Sequence, residues 1–175
     1  MTQGKKLNIL SIDCDWVRDM RGQQELLSFT IPLLFKKSEI ILGYDHQEIY
    51  PHFTHGYDEY NLWNIDHHHD YSYIKFKELD EGNWLYHLSN IFSKKINYVW
   101  INNPESQYPA CLNRKQIKEK LKSYKFDQRL GFIEQETFDK IFICCSAEIE
   151  YNTQLGVSTY KILERIINEN KKPKP

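Results

Sequence analysis

Three short segments of this chain carry side chains able to hold a divalent cation. Ile65-Asp66-His67-His68-His69-Asp70 sets Asp66, His68 and Asp70 at alternate positions. Leu10-Ser11-Ile12-Asp13-Cys14-Asp15-Trp16 repeats that spacing with Asp13 and Asp15, and Asp45-His46 lies between the two segments. Residues two apart on an extended backbone point to one face, so Asp13 and Asp15 can address one volume. Asp66 and His68 can do the same, with Asp70 joining them if the strand end stays extended. Carboxylates crowded this closely repel one another unless a cation or a strong hydrogen-bond network neutralises them. A divalent ion is the simplest neutralising partner. The mixed oxygen and nitrogen set Asp13, Asp15, His46, Asp66, His68 and Asp70 requires no thiolate, which favours Mn²⁺ and also admits Fe²⁺ or Zn²⁺. Each segment has a plainer explanation: a solvated strand end for Asp13-X-Asp15, a helix cap for Asp45-His46, a surface loop for residues 66–70. Their shared position after predicted strands argues against coincidence.

The elements that must position these groups read as alternating strands and helices. Leu7–Ile12 is a short apolar run that predicts a buried strand ending at the acidic pair. Gln23–Lys37, preceded by Gly22, predicts a helix with a kink or a break at Pro32. Glu39–Leu42 and Tyr60–Ile65 predict strands that end beside His46 and Asp66. Asn83 is placed to cap a helix through Trp84, Leu85, Leu88, Ile91 and Phe92, and Ile96–Ile101 predicts a further strand. Asn102–Asn113, with Pro104 and Pro109, reads as a loop, and Arg114–Tyr124 as a charged helix. Phe138–Cys145 predicts a late strand, Gln154–Asn170 an amphipathic helix, and Lys171–Pro175 a frayed tail. The result is an α/β three-layer sandwich around a mainly parallel sheet, with its crevice beyond the carboxyl ends of the strands.

Composition narrows the function. With 23 basic and 24 acidic residues, the formal net charge is −1. No general field draws in nucleic acid or anionic membranes. No signal peptide or membrane span is indicated, so a cytoplasmic location is expected. Cys14, Cys111, Cys144 and Cys145 lack the spacing of a zinc knuckle or a secreted disulfide framework, and are read as reduced, with Cys14, Cys144 and Cys145 in strand packing.

In combination, the three segments resemble motifs of the arginase-like superfamily, the ureohydrolases and deacetylase-like enzymes, and are closest to its UPF0489 group. Leu42-Gly43-Tyr44-Asp45-His46 resembles Leu-Gly-Gly-Asp-His, with Tyr44 in place of a glycine. Asp66-His67-His68-His69-Asp70 resembles Asp-X-His-X-Asp, and Ser11-Ile12-Asp13-Cys14-Asp15 resembles Ser-X-Asp-X-Asp. The last motif stands first here rather than last, which implies a circular permutation. The resemblance implies a single arginase-like domain over residues 1–170. It also implies two divalent ions, Mn²⁺ foremost, held by Asp13, Asp15, His46, Asp66, His68 and Asp70, with Asp13 or Asp66 bridging them.

The implied reaction is hydrolysis of a non-peptide carbon–nitrogen bond in a small guanidine, amidine or amide by a metal-activated hydroxide, which Asp15 or Asp70 would orient. His87 is the first choice for general acid, ahead of His52, His55, His67 and His69. His67 and His69 are expected to support the ligands or face outward. Asn83 and Trp84 would line the substrate pocket, with Glu148 as a further contact beside Glu150. Tyr44, Tyr57, Tyr71 and Tyr73 are expected to wall the pocket. Two other readings stay open: a metal-stabilised binding module without catalysis, and another metal-dependent hydrolase such as a phosphatase. A homo-oligomer is open as well.

Overall fold

In a computed structural model, the described residues are 5–53, 56–71, 78–80, 82–92, 95–103, 121–127, 129–146 and 154–171. Strands β1 (Lys6–Asp13), β2 (Glu39–Leu42), β3 (Glu59–Ile65), β4 (Ile96–Ile101), β5 (Ser123–Asp127) and β6 (Lys140–Cys144) form one sheet in the order β2-β6-β1-β3-β4-β5. Every ladder is parallel. Parallel strands covered on both faces read as continuous apolar runs, as Ile9–Ile12 and Ile141–Cys144 do. The α/β class and the helix-covered parallel sheet agree with the sequence.

Alternation along the strands divides the core in two. Leu10 and Ile12 of β1, Trp63 and Ile65 of β3, and Ile141 and Ile143 of β6 face helices α1 (Met20–Leu33) and α3 (Gln154–Asn170). Leu7 and Ile9, Tyr60 and Leu62, Tyr98 and Trp100, and Phe142 and Cys144 face α2 (Trp84–Phe92) and the 3₁₀ helix His46–His52. At about 25 cal/mol per Å² of apolar surface removed from water, large side chains such as Trp16, Trp84 and Trp100, all almost fully buried, give these layers much of their cohesion.

Chain direction explains where a site must form. From β1 the chain moves outward past the β6 position to β2, then returns across β1 to β3 and continues outward through β4 and β5. Loops leaving the carboxyl ends of β1 and β3 therefore diverge. Such a switch point opens a crevice in a parallel sheet.

Element boundaries differ from expectation at informative places. Helix α1 begins at Met20 rather than Gln23, because the Asp19 carboxylate accepts the Gly22 N–H at 2.6 Å and caps the first turn. It ends at Leu33, so Pro32 lies in its final turn and residues 34–38 leave the helix. The expected helix Arg114–Tyr124 lies largely outside the described residues, and at its end Ser123 and Tyr124 belong to edge strand β5, paired with Asn97 and Tyr98. The Ser123 hydroxyl donates to Asn97 Oδ1 at 2.9 Å. A five-residue edge strand is too short to impose a readable period beside a charged segment. No helix among the described residues is long and apolar enough to cross a membrane.

Candidate metal centre

The centre is assembled from the carboxyl ends of β1 and β3 and from the loop after β2. Register sets Ser11 beside Asn64 and Phe142, and Asn64 beside Trp100, in one row on the α2 face. One step further along this face come Asp13, paired with Cys144, and Asp66, just past Ile65. Asp15 follows on the 3₁₀ turn Cys14–Trp16, where its backbone N–H donates to Asp13 Oδ1 at 3.0 Å. His46 arrives from β2 because Gly43 lets the chain pass the Phe142 ring: a Cβ at that position would lie 2.6 Å from Phe142 Cζ. Asp45 then starts the 3₁₀ helix, its N–H donating to Glu48 Oε1 at 3.0 Å. Thus Asp45 performs the capping role while His46 enters the site.

Among the donor groups that result, two share Asp66. His46 Nδ1 lies 2.8 Å from Asp70 Oδ2, 3.0 Å from Asp66 Oδ2 and 3.4 Å from Asp13 Oδ2. His68 Nδ1 lies 2.9 Å from Asp15 Oδ2 and 3.9 Å from Asp66 Oδ1. His46, Asp66 and Asp70 form one potential cation site, and Asp15, Asp66 and His68 another. The structure brings together all six residues expected to bind metal. It does so without extending β3: the strand stops at Ile65, and Asp70, at φ 51°, turns out of the alternate phase toward His46. Asp70 therefore shares a group with His46 rather than with His68. That conformation is disfavoured for a residue with a Cβ and is held here by surrounding bonds. The Trp84 indole N–H donates to Asp70 Oδ2 at 2.7 Å, and the Leu85 N–H donates to the Asp70 carbonyl at 3.1 Å.

Hydrogen bonding within the cluster is incomplete. Despite short separations, His46 Nδ1 makes no hydrogen bond, nor does Asp15 Oδ2, although both atoms are buried. Buried polar atoms without partners cost about 1–3 kcal/mol each. Donor atoms this close together, two of them without hydrogen bonds, could hold a shared cation. The residues fit a divalent ion on this observation.

Electrostatics agree. Burial, then the Asp15 and Asp66 carboxylates, pushes Asp13 up to about 7. Burial and then Asp70 raise Asp66 to about 6, and burial followed by Asp66 raises Asp15. Burial alone would lower His46, but Asp70 and Asp66 outweigh it and hold the imidazole well above its usual range. His68, also opposed by burial, is raised to about 9 by Asp15 and then Asp66. All five shifts favour the protonated forms. A divalent ion would displace those protons.

Supporting groups complete the arrangement. Ser11 Oγ lies 2.6 Å from His46 Nε2, and the Ser146 hydroxyl donates to Asp13 Oδ2 from a backbone at φ 43°. Asn64 Nδ2 donates to Asp66 Oδ2 at 3.1 Å, and Trp100 Nε1 donates to the Asp66 carbonyl at 3.0 Å. Sequence reasoning gave none of these four a role. Ser11 and Asn64 were discoverable, since each stands two residues before an aspartate and shares its strand face.

The other expected site residues have different surroundings. Asn83 is fully buried, with Oδ1 accepting the Asp80 N–H at 2.9 Å and Nδ2 donating to the Glu78 carbonyl at 2.9 Å. Its amide fastens the turn before α2. Trp84 is equally buried and reaches the centre through its N–H to Asp70. His87, on α2, is half-buried, its Nε2 enclosed without a partner and its ring 5.5 Å from Tyr86. His69 is neutral, with burial lowering it to about 4, and its Nδ1 accepts the Tyr71 N–H at 3.1 Å. Burial and then Arg18 lower His67 to about 4, while His52 is lowered by burial and then Lys140. His55, Tyr73, Cys111, Glu148 and Glu150 lie outside the described residues.

The described tyrosines, Tyr44, Tyr57 and Tyr71, do not gather into the expected wall. Tyr71 is buried beneath Ser89 and Tyr86, Tyr44 is exposed beside Tyr160, and Tyr57 sits against Tyr60 and Lys5 at the opposite end of the strands. Their sequence spacing follows different elements, so no common face collects them. In comparisons with protein families, curated proteins and solved structures, the chain matched none.

Proposed function

We propose that this protein is a metal-dependent hydrolase that holds two divalent ions at the switch point and cleaves a non-peptide carbon–nitrogen bond in a small guanidine, amidine or amide. The carrying observation is the pair of donor groups joined through Asp66, with His46 Nδ1 and Asp15 Oδ2 buried and unsatisfied between them. His46, Asp13, Asp66 and Asp70 would hold the inner ion; Asp15, Asp66 and His68 would hold the outer one. Bound ions supply Lewis acidity and lower the pKa of water. Trp84, Asn64 and Ser11 fix ligand orientation, as partners behind metal ligands do. His68 is the most open of the six, with 36% of its side chain exposed, so substrate would approach along the Asp15–His68 side. The arginase-like motifs support this reaction class, with Mn²⁺ as their implied metal.

Enclosure favours a second reading. Asp13, Asp15, His46, Asp66 and Asp70 are each at most 2% exposed, and closed sites suit structural metals whereas catalytic sites keep a position open. A metal-stabilised binding module would have this appearance. One experiment separates the two: measure metal content, thermal stability and turnover on a guanidine, amidine and amide panel for the native protein and Asp15→Ala. Hydrolysis that needs metal and disappears with Asp15→Ala supports the enzyme. Metal-dependent stability with no turnover supports the module, and a protein that retains no divalent metal refutes both.

A further inference from the structure

Cys144 is a group that the donor set above does not use. The parallel register pairs it with Asp13, so both side chains leave the sheet on the α2 face, whereas Cys14 and Cys145 pack in the opposite core layer. Its Sγ, a carboxylate oxygen of Asp13 and an imidazole nitrogen of His46 all lie within 4.8 Å of one another. Cys144 is fully buried. His46, 1% exposed, has an Nδ1 without a hydrogen-bond partner that lies 3.4 Å from Asp13 Oδ2, the carboxylate of this corner.

We propose that Cys144 is a ligand of the inner ion, making that position a mixed nitrogen, oxygen and sulfur site that selects Zn²⁺ or Fe²⁺ over Mn²⁺, while the oxygen-rich Asp15–Asp66–His68 position keeps the harder ion. This inference rests on the metal-centre reading and deepens it. Zn²⁺ takes thiolate at about 2.3 Å and imidazole at about 2.0–2.1 Å, so at a tetrahedral ion the two ligand atoms stand about 3.6 Å apart. The Cys144 corner, whose atoms lie within 4.8 Å of one another, would draw in around the ion on binding. Thiolates draw soft and borderline metals, and carboxylates alone do not discriminate against Mn²⁺ in the same way. On binding, the Sγ–H bond breaks, the sulfur lone pair goes to the ion, and the proton leaves to solvent. The Asp13 carboxylate and the His46 imidazole would stand beside the sulfur in the inner shell. Two chemically different positions on either side of Asp66 would let the centre hold two different metals.

The test uses Co²⁺ as a spectroscopic probe on the full-length protein after chelator treatment. Expected is a near-ultraviolet thiolate-to-Co²⁺ charge-transfer band in the native protein and in Cys145→Ser, absent in Cys144→Ser and Cys144→Ala although both still bind Co²⁺. Metal competition should show Cys144→Ser losing about tenfold or more in preference for Zn²⁺ over Mn²⁺. Because a buried substitution can impair folding, ¹¹³Cd resonance of the unmodified protein gives an independent reading: a strongly downfield line signals sulfur ligation. Co²⁺ binding without the band, its persistence in Cys144→Ser, or a ¹¹³Cd line in the oxygen and nitrogen range overturns the Cys144 assignment while leaving the centre intact. Failure of any metal to bind overturns both.

Discussion

Replacing Asp13 by asparagine should stabilise the metal-free protein, the reverse of what deleting a hydrogen-bonded buried residue ordinarily does. Asp13 is raised from 3.8 to about 7, chiefly by burial and then by Asp15 and Asp66, so holding it ionised costs on the order of 4 kcal/mol at pH values above that range. Asparagine keeps the shape and removes the charge. Its Oδ1 can still accept the Asp15 N–H, now at 3.0 Å, and its Nδ2 can donate to the Ser146 oxygen. Rearranging the Ser146 hydroxyl forfeits about 1–2 kcal/mol of hydrogen bonding. The net gain is then about 2 kcal/mol, or roughly 4–8 °C in Tm for a chain of this length. The sign with pH follows from linkage: the folded-state pKa is raised, so the native form binds more protons between 3.8 and about 7, and the penalty builds across that window. Thermal unfolding in chelator at about pH 8 should show the full gain, and at about pH 4.5 almost none. Saturating Mn²⁺ should erode that gain, since about 100-fold excess over Kd contributes about 2.7 kcal/mol to the native protein and less to the variant. A lower Tm for Asp13→Asn in chelator at pH 8, or a gain of equal size at both pH values, would refute the crowded-carboxylate account.

Two further substitutions test how the centre is positioned. Gly43→Ala places a Cβ 2.6 Å from Phe142 Cζ, and Phe142 stacks on His46 with centroids 6.1 Å apart, so overpacking should cost about 1–3 kcal/mol and weaken metal binding. Adding Phe142→Leu should recover stability in chemical denaturation; no recovery would mean that the ring is not the obstacle. Trp84→Phe removes the 2.7 Å hydrogen bond to Asp70, which should lower Mn²⁺ affinity about 10–100-fold by calorimetric titration. Unchanged affinity would show that Asp70 does not need the indole to hold its orientation.

Much of this centre was legible because period-2 alternation is local. Asp13 with Asp15 and Asp66 with His68 could be paired from spacing alone, and the apolar runs before them predicted parallel strands with their polar ends together. Asp70 shows the limit of that reasoning. Spacing put it in phase with Asp66 and His68, but a left-handed backbone at φ 51° and the Trp84 N–H deliver it to His46 instead. The tyrosines show the same limit: residues near in sequence to a site were read as its walls, while the fold sends Tyr57 to the far end of the sheet.

The sequence by itself determined the α/β class, the helix-covered parallel sheet and the presence of side chains able to ligate a metal, because each depends on residue identity and short-range periodicity. Tertiary structure alone decided the partners. Inserting β6 between β1 and β2 puts Cys144 beside Asp13, and Gly43 allows His46 to cross Phe142 and meet Asp66 and Asp70. Those approaches join residues far apart in the chain. Strand order and register specify them, and neither is a local property.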